Sequence, residues 1–317
     1  MRTTSASRAK DKKNRPKSKL GIPDLEHSKV AVLRSLASPD SRRGYQHAID
    51  EFVAWYCSEP RLAFNKTVVL RYRFYLEERG LAPGTINVRL AAVRRLAYEA
   101  SDSGLLSPEL AAGIHRVKVV RKLGSRLGNW LTAGEAAALW QLPDGQTLTG
   151  KRYRAILAIL LGCGLRRREL AELTLESLQR RGERWAIVDI IGKGRHVRTV
   201  PPNWVKETLD AWLRAAGIES GPLFRCVCRA GKPWGQGISE KTVWHVVKNT
   251  AARMNIPRLA PHDLRRSCAR LCHDSGGELE QIQFLLGHVS VQTTERYIGC
   301  KQRLRIAVND RLGIEPR

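Results

Sequence analysis

The sequence predicts a mainly α protein of two domains: a helical first part, and a second part that is α-rich around a small antiparallel sheet. Three observations carry that prediction. Apolar residues recur at three- and four-residue steps through 23–112. In the second half, two β-branched segments joined by Gly192-Lys193-Gly194 interrupt an otherwise helical pattern. Between the halves, residues 113–128 (GIHRVKVVRKLGSRLG) are basic, glycine-punctuated and without clear period, which reads as a linker.

Residues 1–22 read as a disordered basic arm, because the first 20 hold eight Lys or Arg, one acidic residue and almost nothing apolar. From Ser41 to Cys57, the residues Tyr45, Ile49, Phe52, Val53 and Tyr56 line one face of a helix. Lys66 to Arg79 repeats the pattern with Val69, Tyr72 and Leu76. Leu81-Ala-Pro-Gly84 is a break, after which Thr85 is expected to cap a helix carrying Ile86, Leu90, Val93, Leu96 and Ala97. The other face of that helix shows Arg89, Arg94 and Arg95, either a solvated face or a surface for a polyanion.

The second domain, 129–317, begins with a capping box: Thr132 as N-cap and Glu135 three residues on, with a helix through Trp140. Tyr153 to Leu161 is a strongly apolar helix. Trp185 to Ile191 and Arg195 to Val200 are the two strands of a hairpin, ended by Pro201-Pro202. From Trp204 onward the chain reads as helices separated by Gly and Pro.

Lys and Arg number 55 against 30 Asp and Glu, a formal net charge of +25 over 317 residues. A chain this basic calls for a polyanion, foremost nucleic acid, because each neutralised phosphate releases counterions. Lys118, Arg121, Lys122 and Arg126 in the linker would meet phosphates if the two domains close around a duplex. No apolar run approaches the roughly 20 residues needed to span a bilayer. The start lacks the apolar core of a secretory signal, so a membrane partner is not expected and the cytoplasm is the expected compartment. The seven cysteines (Cys57, Cys163, Cys226, Cys228, Cys268, Cys272 and Cys300) are odd in number and scattered, as reduced thiols are. Neither Cys226-Val-Cys228 nor Cys268-x-x-x-Cys272-His273 has paired zinc-knuckle spacing, so no metal is expected.

Four segments of the second domain stand out. Gly162-Cys163-Gly164-Leu165 breaks the apolar helix, and a new one starts with Arg166 and Glu169 three apart on one face. Gly192-Lys193-Gly194 leaves a lysine free to reach out from a hairpin tip. Pro261-His262-Asp-Leu-Arg265 places His and Arg at i and i+3. Leu285-Leu-Gly287-His288 is followed nine residues later by Tyr297. Each has a bland reading: a charged helix start, a surface lysine, a packed histidine or tyrosine.

Together, in the order Arg, Lys, His-x-x-Arg, Gly-His, Tyr, the segments resemble the tyrosine recombinase family, also called the phage integrase family. Its members share an Arg in a T-G-x-R-x-x-E-like motif, a Lys in a G-K-G-like hairpin, H-x-x-R, G-H, and a tyrosine nine residues beyond that last His. The resemblance covers nearly the whole chain, by motif in the second domain and by helical character in the first. It implies a SAM-like core-binding domain over 23–112 that clamps DNA, and a catalytic domain over 129–317. It implies that Arg166 and Arg265 bind the scissile phosphate. Lys193 is the general acid toward the leaving 5′ oxygen. His262 and His288 hydrogen-bond the phosphate or manage protons, and Glu169 orients its neighbours. Tyr297 is the nucleophile, forming a 3′-phosphotyrosyl link.

Elementary chemistry agrees with those roles. A phosphodiester repels nucleophiles, and its transition state gathers charge on the nonbridging oxygens. Arginine is cationic at any working pH and grips two oxygens at once, so two arginines can take the place of a metal ion. Tyrosine, with a reference pKa of about 10, must lose its proton in the attack, whereas lysine at about 10.4 is a protonated donor. A covalent intermediate keeps the bond energy, so rejoining needs no ATP, metal or other cofactor. Two departures concern packing: Cys163 stands where the family has Thr, and Arg266-Ser267-Cys268 where it often has His-Thr-Phe. Tyr153, the other tyrosine of the second domain, opens an apolar run and is expected in the core.

The resemblance further implies strand exchange between two specific double-stranded DNA sites through a Holliday junction. The agent would be a homo-tetramer at the nucleoid, with room for accessory DNA-bending proteins. The segment Lys301 to Leu312, with Leu304, Ala307, Val308 and Leu312 on one side, would be a helix that packs on a neighbouring protomer. Two rival readings are a type IB topoisomerase-like nicking and closing enzyme, and a catalytically silent DNA-binding protein.

Overall fold

The structure is a computed structural model that describes residues 17–58, 62–121, 129–192, 196–202 and 204–298. Most of the basic arm, Lys122, Arg126, Lys193, Cys300 and the helix expected over 301–312 lie outside the described residues. The chain divides into two compact units, Met1–Ser125 and Arg126–Arg317.

The first unit is built from α1 (Ile22–Ser35), α2 (Pro39–Ser58), α3 (Lys66–Glu78), α4 (Pro83–Asp102) and α5 (Pro108–His115). Helix α4 is central and packs on the other four. The apolar stripes read from sequence meet here: Ile49, Phe52, Tyr72, Leu76, Leu90 and Leu96 are all fully buried. Phe52 meets Tyr72 edge-on, with ring centroids 5.0 Å apart, a geometry that suits the opposed charge of ring face and edge. Helix α4 starts three residues earlier than expected. Ala82 is its N-cap and Pro83 occupies the first turn, where a fixed φ and a missing N–H cost nothing.

Two of the three arginines expected on an open face of α4 are committed inward. Glu51 accepts from both Arg79 and Arg89, and Arg94 donates to the Val117 carbonyl. Arg95 is exposed and pairs with Glu99 at 3.1 Å. The first part of the stretch read as a linker, 113–128, packs with the first unit. Gly113 to His115 complete α5, and Val117 is buried against the first unit's core. The Asn87 amide holds Val120 like a neighbouring strand, donating to its carbonyl at 2.9 Å and accepting its N–H at 2.8 Å. Arg73 donates to the Lys118 carbonyl at 3.1 Å. Lys118 and Arg121 themselves are exposed.

The second unit opens with α6 (Ala133–Gln141), where the Thr132–Glu135 capping box closes in both directions. Helix α7 (Leu148–Gly162) is the core: Ala155 to Leu161 are buried without a break, and α6, α9, α10 and α11 pack around it. Tyr153 packs against this core. After α8 (Arg167–Ala171) and a 3-10 turn at Leu175–Ser177 come β1 (Leu178–Arg181), β2 (Arg184–Ile191) and β3 (Val197–Val200). They form a three-stranded antiparallel sheet in the order β1-β2-β3, one strand more than the predicted hairpin. The register between β2 and β3 shifts between Ile187 and Ile190, and Asp189 within that irregularity has φ +55°.

The rest is α9 (Val205–Ala216), a two-stranded ribbon of β4 (Cys226–Val227) and β5 (Pro233–Trp234), α10 (Glu240–Arg253), α11 (Pro261–Asp274), α12 (Leu279–Leu286) and α13 (Val291–Ile298). The ribbon interrupts the all-helical reading of this stretch. Cys226 belongs to it, and the described residues contain no cluster of three or more metal-ligating side chains. No helix among the described residues is long and apolar enough to cross a membrane.

Ser267 ties the start of this unit to α11. Its hydroxyl accepts the buried N–H of Leu131 at 2.8 Å and donates to the Asp263 carbonyl at 2.9 Å. Ser267→Ala leaves that N–H without a partner, and the expected cost is about 1–3 kcal/mol. Urea unfolding of the second unit measures it; an unchanged midpoint would refute the assignment.

Candidate active site

The turn between α7 and α8 has no room for a side chain at Gly164. Gly164 has φ +58°, and a Cβ there would lie 2.7 Å from Leu286 Cδ2, so glycine is required twice over. Cys163, the departure from the family pattern, is fully buried, and burial pushes its thiol up to about 12. The turn leaves Arg166 as the N-cap of α8, where its backbone N–H and its Nη1 both donate to Glu169, at 2.7 and 2.6 Å.

Glu169 is a buried acid among guanidiniums. Arg198 on β3 grips both its oxygens, Nη1 to Oε1 at 3.0 Å and Nη2 to Oε2 at 2.7 Å. Burial alone would raise this carboxyl. The hydrogen bonds and charge of Arg198, and then of Arg166, hold it at about 2. Arg198 also donates from Nε to the Leu285 carbonyl at 3.1 Å. No sequence signal marked it, because in a strand it alternates like any surface arginine.

Arg265 is buried, with 1% of its surface exposed. Its terminal nitrogens donate to the carbonyls of Gly164 and Leu286, which joins the α7–α8 turn to the end of α12. Its Nε has no hydrogen-bond partner among the described residues. Burial, then the charges of Arg166 and Arg198, lower its pKa to about 10, still cationic at neutral pH.

Gly287 ends α12 in the left-handed region with φ +60° and turns the chain so that His288 faces inward. His288 is 9% exposed, and its Nδ1 hydrogen-bonds Thr294 Oγ1 at 3.0 Å. Thr294, fully buried one turn before Tyr297, is a second residue that the sequence did not mark. Tyr297 meets His288 edge-on, ring centroids 4.7 Å apart, and Arg266 lies over its ring at 5.4 Å. The Tyr297 hydroxyl hydrogen-bonds His262 Nε2. Desolvation, then the charges of Arg266, Arg265, Arg166 and Arg167, bring His262 down to about 4. Burial, then Arg265, Arg166 and Arg198, do the same to His288. Both imidazoles are therefore neutral at pH 7, and His262 can accept the phenolic proton.

The structure thus gathers Arg166, Glu169, His262, Arg265, His288 and Tyr297 from three of the four segments. Of the basic residues expected to meet phosphate, Lys118, Arg121 and Arg95 are exposed, and Arg89 and Arg94 face inward. Lys193, Lys122 and Arg126 are not among the described residues.

Residues 129–303 match the phage integrase family, more than half of the chain. The chain belongs to the phage integrase family. A tyrosine recombinase of Synechococcus elongatus is 30% identical over 291 residues, covering 86% of this chain and 88% of the relative. A tyrosine recombinase XerC of Xylella fastidiosa is 32% identical over 80% of each chain. Among solved structures, a lambda integrase (75-356) dimer bound to a COC′ core site matches this integrase-family chain with a TM-score of 0.68 at 16% identity. That match covers 90% of this chain and 98% of the other. The XerH site-specific recombinase bound to a palindromic difH substrate matches with a TM-score of 0.65 at 18% identity, over 89% and 87% of the two chains. At these identities the structural matches speak for the shared fold.

The lowered histidines make a stability statement. Between pH 6.5 and about 4 the unfolded chain takes up protons that folded His262 and His288 refuse. Their contribution is full above the ordinary value and is lost as pH falls toward 4. His288→Asn is expected to flatten the fall of Tm across that window relative to the unaltered protein. Parallel slopes for the two proteins in a pH series of melts would contradict the neutral, buried imidazole.

Proposed function

We propose that this chain is a tyrosine site-specific recombinase that cuts and rejoins double-stranded DNA without ATP or metal. The observation that carries this reading is the Tyr297 hydroxyl set against an unprotonated His262, with the guanidiniums of Arg166, Arg265 and Arg266 close by. A phenol beside a neutral base and several fixed cations suits attack on an anionic phosphate.

Tyr297 Oη attacks the phosphorus and its proton passes to His262 Nε2. The bond from phosphorus to the 5′ oxygen breaks, and that oxygen leaves with a proton from Lys193. The 3′ phosphate remains on the tyrosine. Arg166 grips a nonbridging oxygen, and Arg265 adds fixed positive charge; its buried, unpartnered Nε–H is a donor that an incoming acceptor would satisfy. His288, held through Nδ1 by Thr294, keeps Nε2 for the phosphate. A 5′ hydroxyl from a second strand then reverses the step on the phosphotyrosine. Two rounds of exchange on paired sites, passing through a Holliday junction, call for four copies of the chain. The first unit and the basic segment after α5 hold the duplex, with Lys118 and Arg121 on phosphates. Such an enzyme works at the nucleoid, in the cytoplasm. The relatives' names and the helical first unit favour recombination over nicking and closing alone.

On a nicked suicide duplex carrying the target site, the protein is expected to form a covalent adduct that resists denaturing gel electrophoresis. Tyr297→Phe should bind the same duplex equally well and form none; an adduct that persists in this variant would sink the assignment of the nucleophile. DNA affinity should also fall steeply with salt, with a slope of about −0.9 per phosphate contacted. Binding that is flat between low and high salt would contradict the electrostatic reading.

A further inference from the structure

We infer that Arg198 is a positioning residue that holds the charge of Glu169, and so leaves Arg166 available to the scissile phosphate. The inference rests on the reading of Arg166 as a phosphate ligand and adds a residue to which that reading gives no part.

The geometry is one of competition for a carboxylate. Glu169 accepts the Arg166 backbone N–H and Nη1, and both terminal nitrogens of Arg198. The side chains of Glu169 and Arg198 are 4% and 7% exposed, while that of Arg166 is 30% exposed. The buried pair is therefore Glu169 with Arg198, joined by two parallel hydrogen bonds, and Arg166 touches it from the solvent side through Nη1. Paired carboxylate and guanidinium forks satisfy each other in shape and charge. Without Arg198, two acceptor positions on a buried carboxylate fall empty, and the nearest fork that can fill them is Arg166. Arg166 would then turn its second nitrogen inward and spend its charge on Glu169.

Arg198 is well placed to hold this arrangement. Its Nε is fixed by the Leu285 carbonyl at 3.1 Å. A Cβ on Gly287 would lie 2.8 Å from Arg198 Cδ, and one on Gly192 would lie 3.3 Å from Arg166 Nη1 and 3.4 Å from Arg198 Nη1. The side chain thus runs from β3, past the turn before His288, to the foot of α8. The bland alternative is that Arg198 only ties these elements together. The two readings differ in what Glu169 does once Arg198 is gone: a tie that is merely structural is not restored by weakening Glu169 as well.

The experiment uses the full chain and the nicked suicide duplex, with single-turnover cleavage, DNA affinity by gel shift and a thermal melt for each variant. Arg198→Met is expected to cleave about 100-fold more slowly, the loss typical of one misdirected transition-state donor, with affinity within about twofold of normal. Glu169→Gln alone should cost about tenfold or less, and Arg198→Met with Glu169→Gln should cleave about tenfold faster than Arg198→Met, a rescue that only coupled groups show. A double variant no faster than Arg198→Met, or an Arg198→Met that cleaves normally, overturns the inference. If Arg198→Met does not melt cooperatively, Arg198→Lys takes its place, since lysine keeps the charge and loses the fork. It should be slow, and faster once Glu169→Gln is added; no gain overturns the inference. Arg166→Met separates the two levels: normal cleavage by that variant removes the phosphate role of Arg166 itself, whatever the Arg198 variants do.

Discussion

Like charges crowd together in this molecule, and one buried carboxylate makes that tolerable. Burial and the charges of Arg166 and Arg198 weaken the hold of Arg265 on its proton, and burial and the charges of all three arginines do the same to His288. Glu169 is the acid drawn in among them. A buried charge is stable only with a partner and with its remaining hydrogen bonds filled. Glu169 has both, since its two oxygens accept from two guanidiniums and a backbone N–H. The surplus of positive charge left over is what an anionic phosphodiester would meet.

The scaffold serves that cluster by ending helices at it. The turn after α7, the start of α8, the first turns of α11, the end of α12 and the body of α13 all deliver a side chain or a carbonyl to the same place. Arg265 is the clearest case: it arises on α11, and its nitrogens close on carbonyls from the α7–α8 turn and from α12. A helix end has carbonyls with no partner inside the helix, so a guanidinium can join two such ends while burying no orphan acceptor. On α13, the Ile298 carbonyl is likewise met by Arg270 at 3.1 Å, so the helix that carries Tyr297 is held at its far end as well as through Thr294.

Much of this was legible in the sequence where the signal is local. The Thr132–Glu135 capping box spans four residues and closed as read. The apolar stripes of α2, α3 and α4 found their core because a helical period is set within a few turns. The motif residues of the second unit were singled out by a resemblance to a known family, and Arg166, Glu169, His262, Arg265, His288 and Tyr297 lie close together in the structure. What was not legible depends on partners far away in the chain. The commitments of Arg89 to Glu51 and of Arg198 to Glu169 join residues 38 and 29 positions apart, and nothing in a window around either arginine tells it from a solvated one. Strand β1 escaped because Leu178-Gln-Arg-Arg carries a single apolar residue, and only pairing with β2 makes it a strand. The packing of Val117 and Val120 on the first unit was not legible because it runs through a few contacts that have no period.

Gly164 and Gly287 carry no functional group, yet one lies against Leu286 and Cys268 and the other against Arg198, both with left-handed backbones. A side chain at either glycine would therefore disturb the site although no reactive group is lost. A map of tolerated alleles would trace the close packing against Leu286, Cys268 and Arg198 as well as the reactive groups.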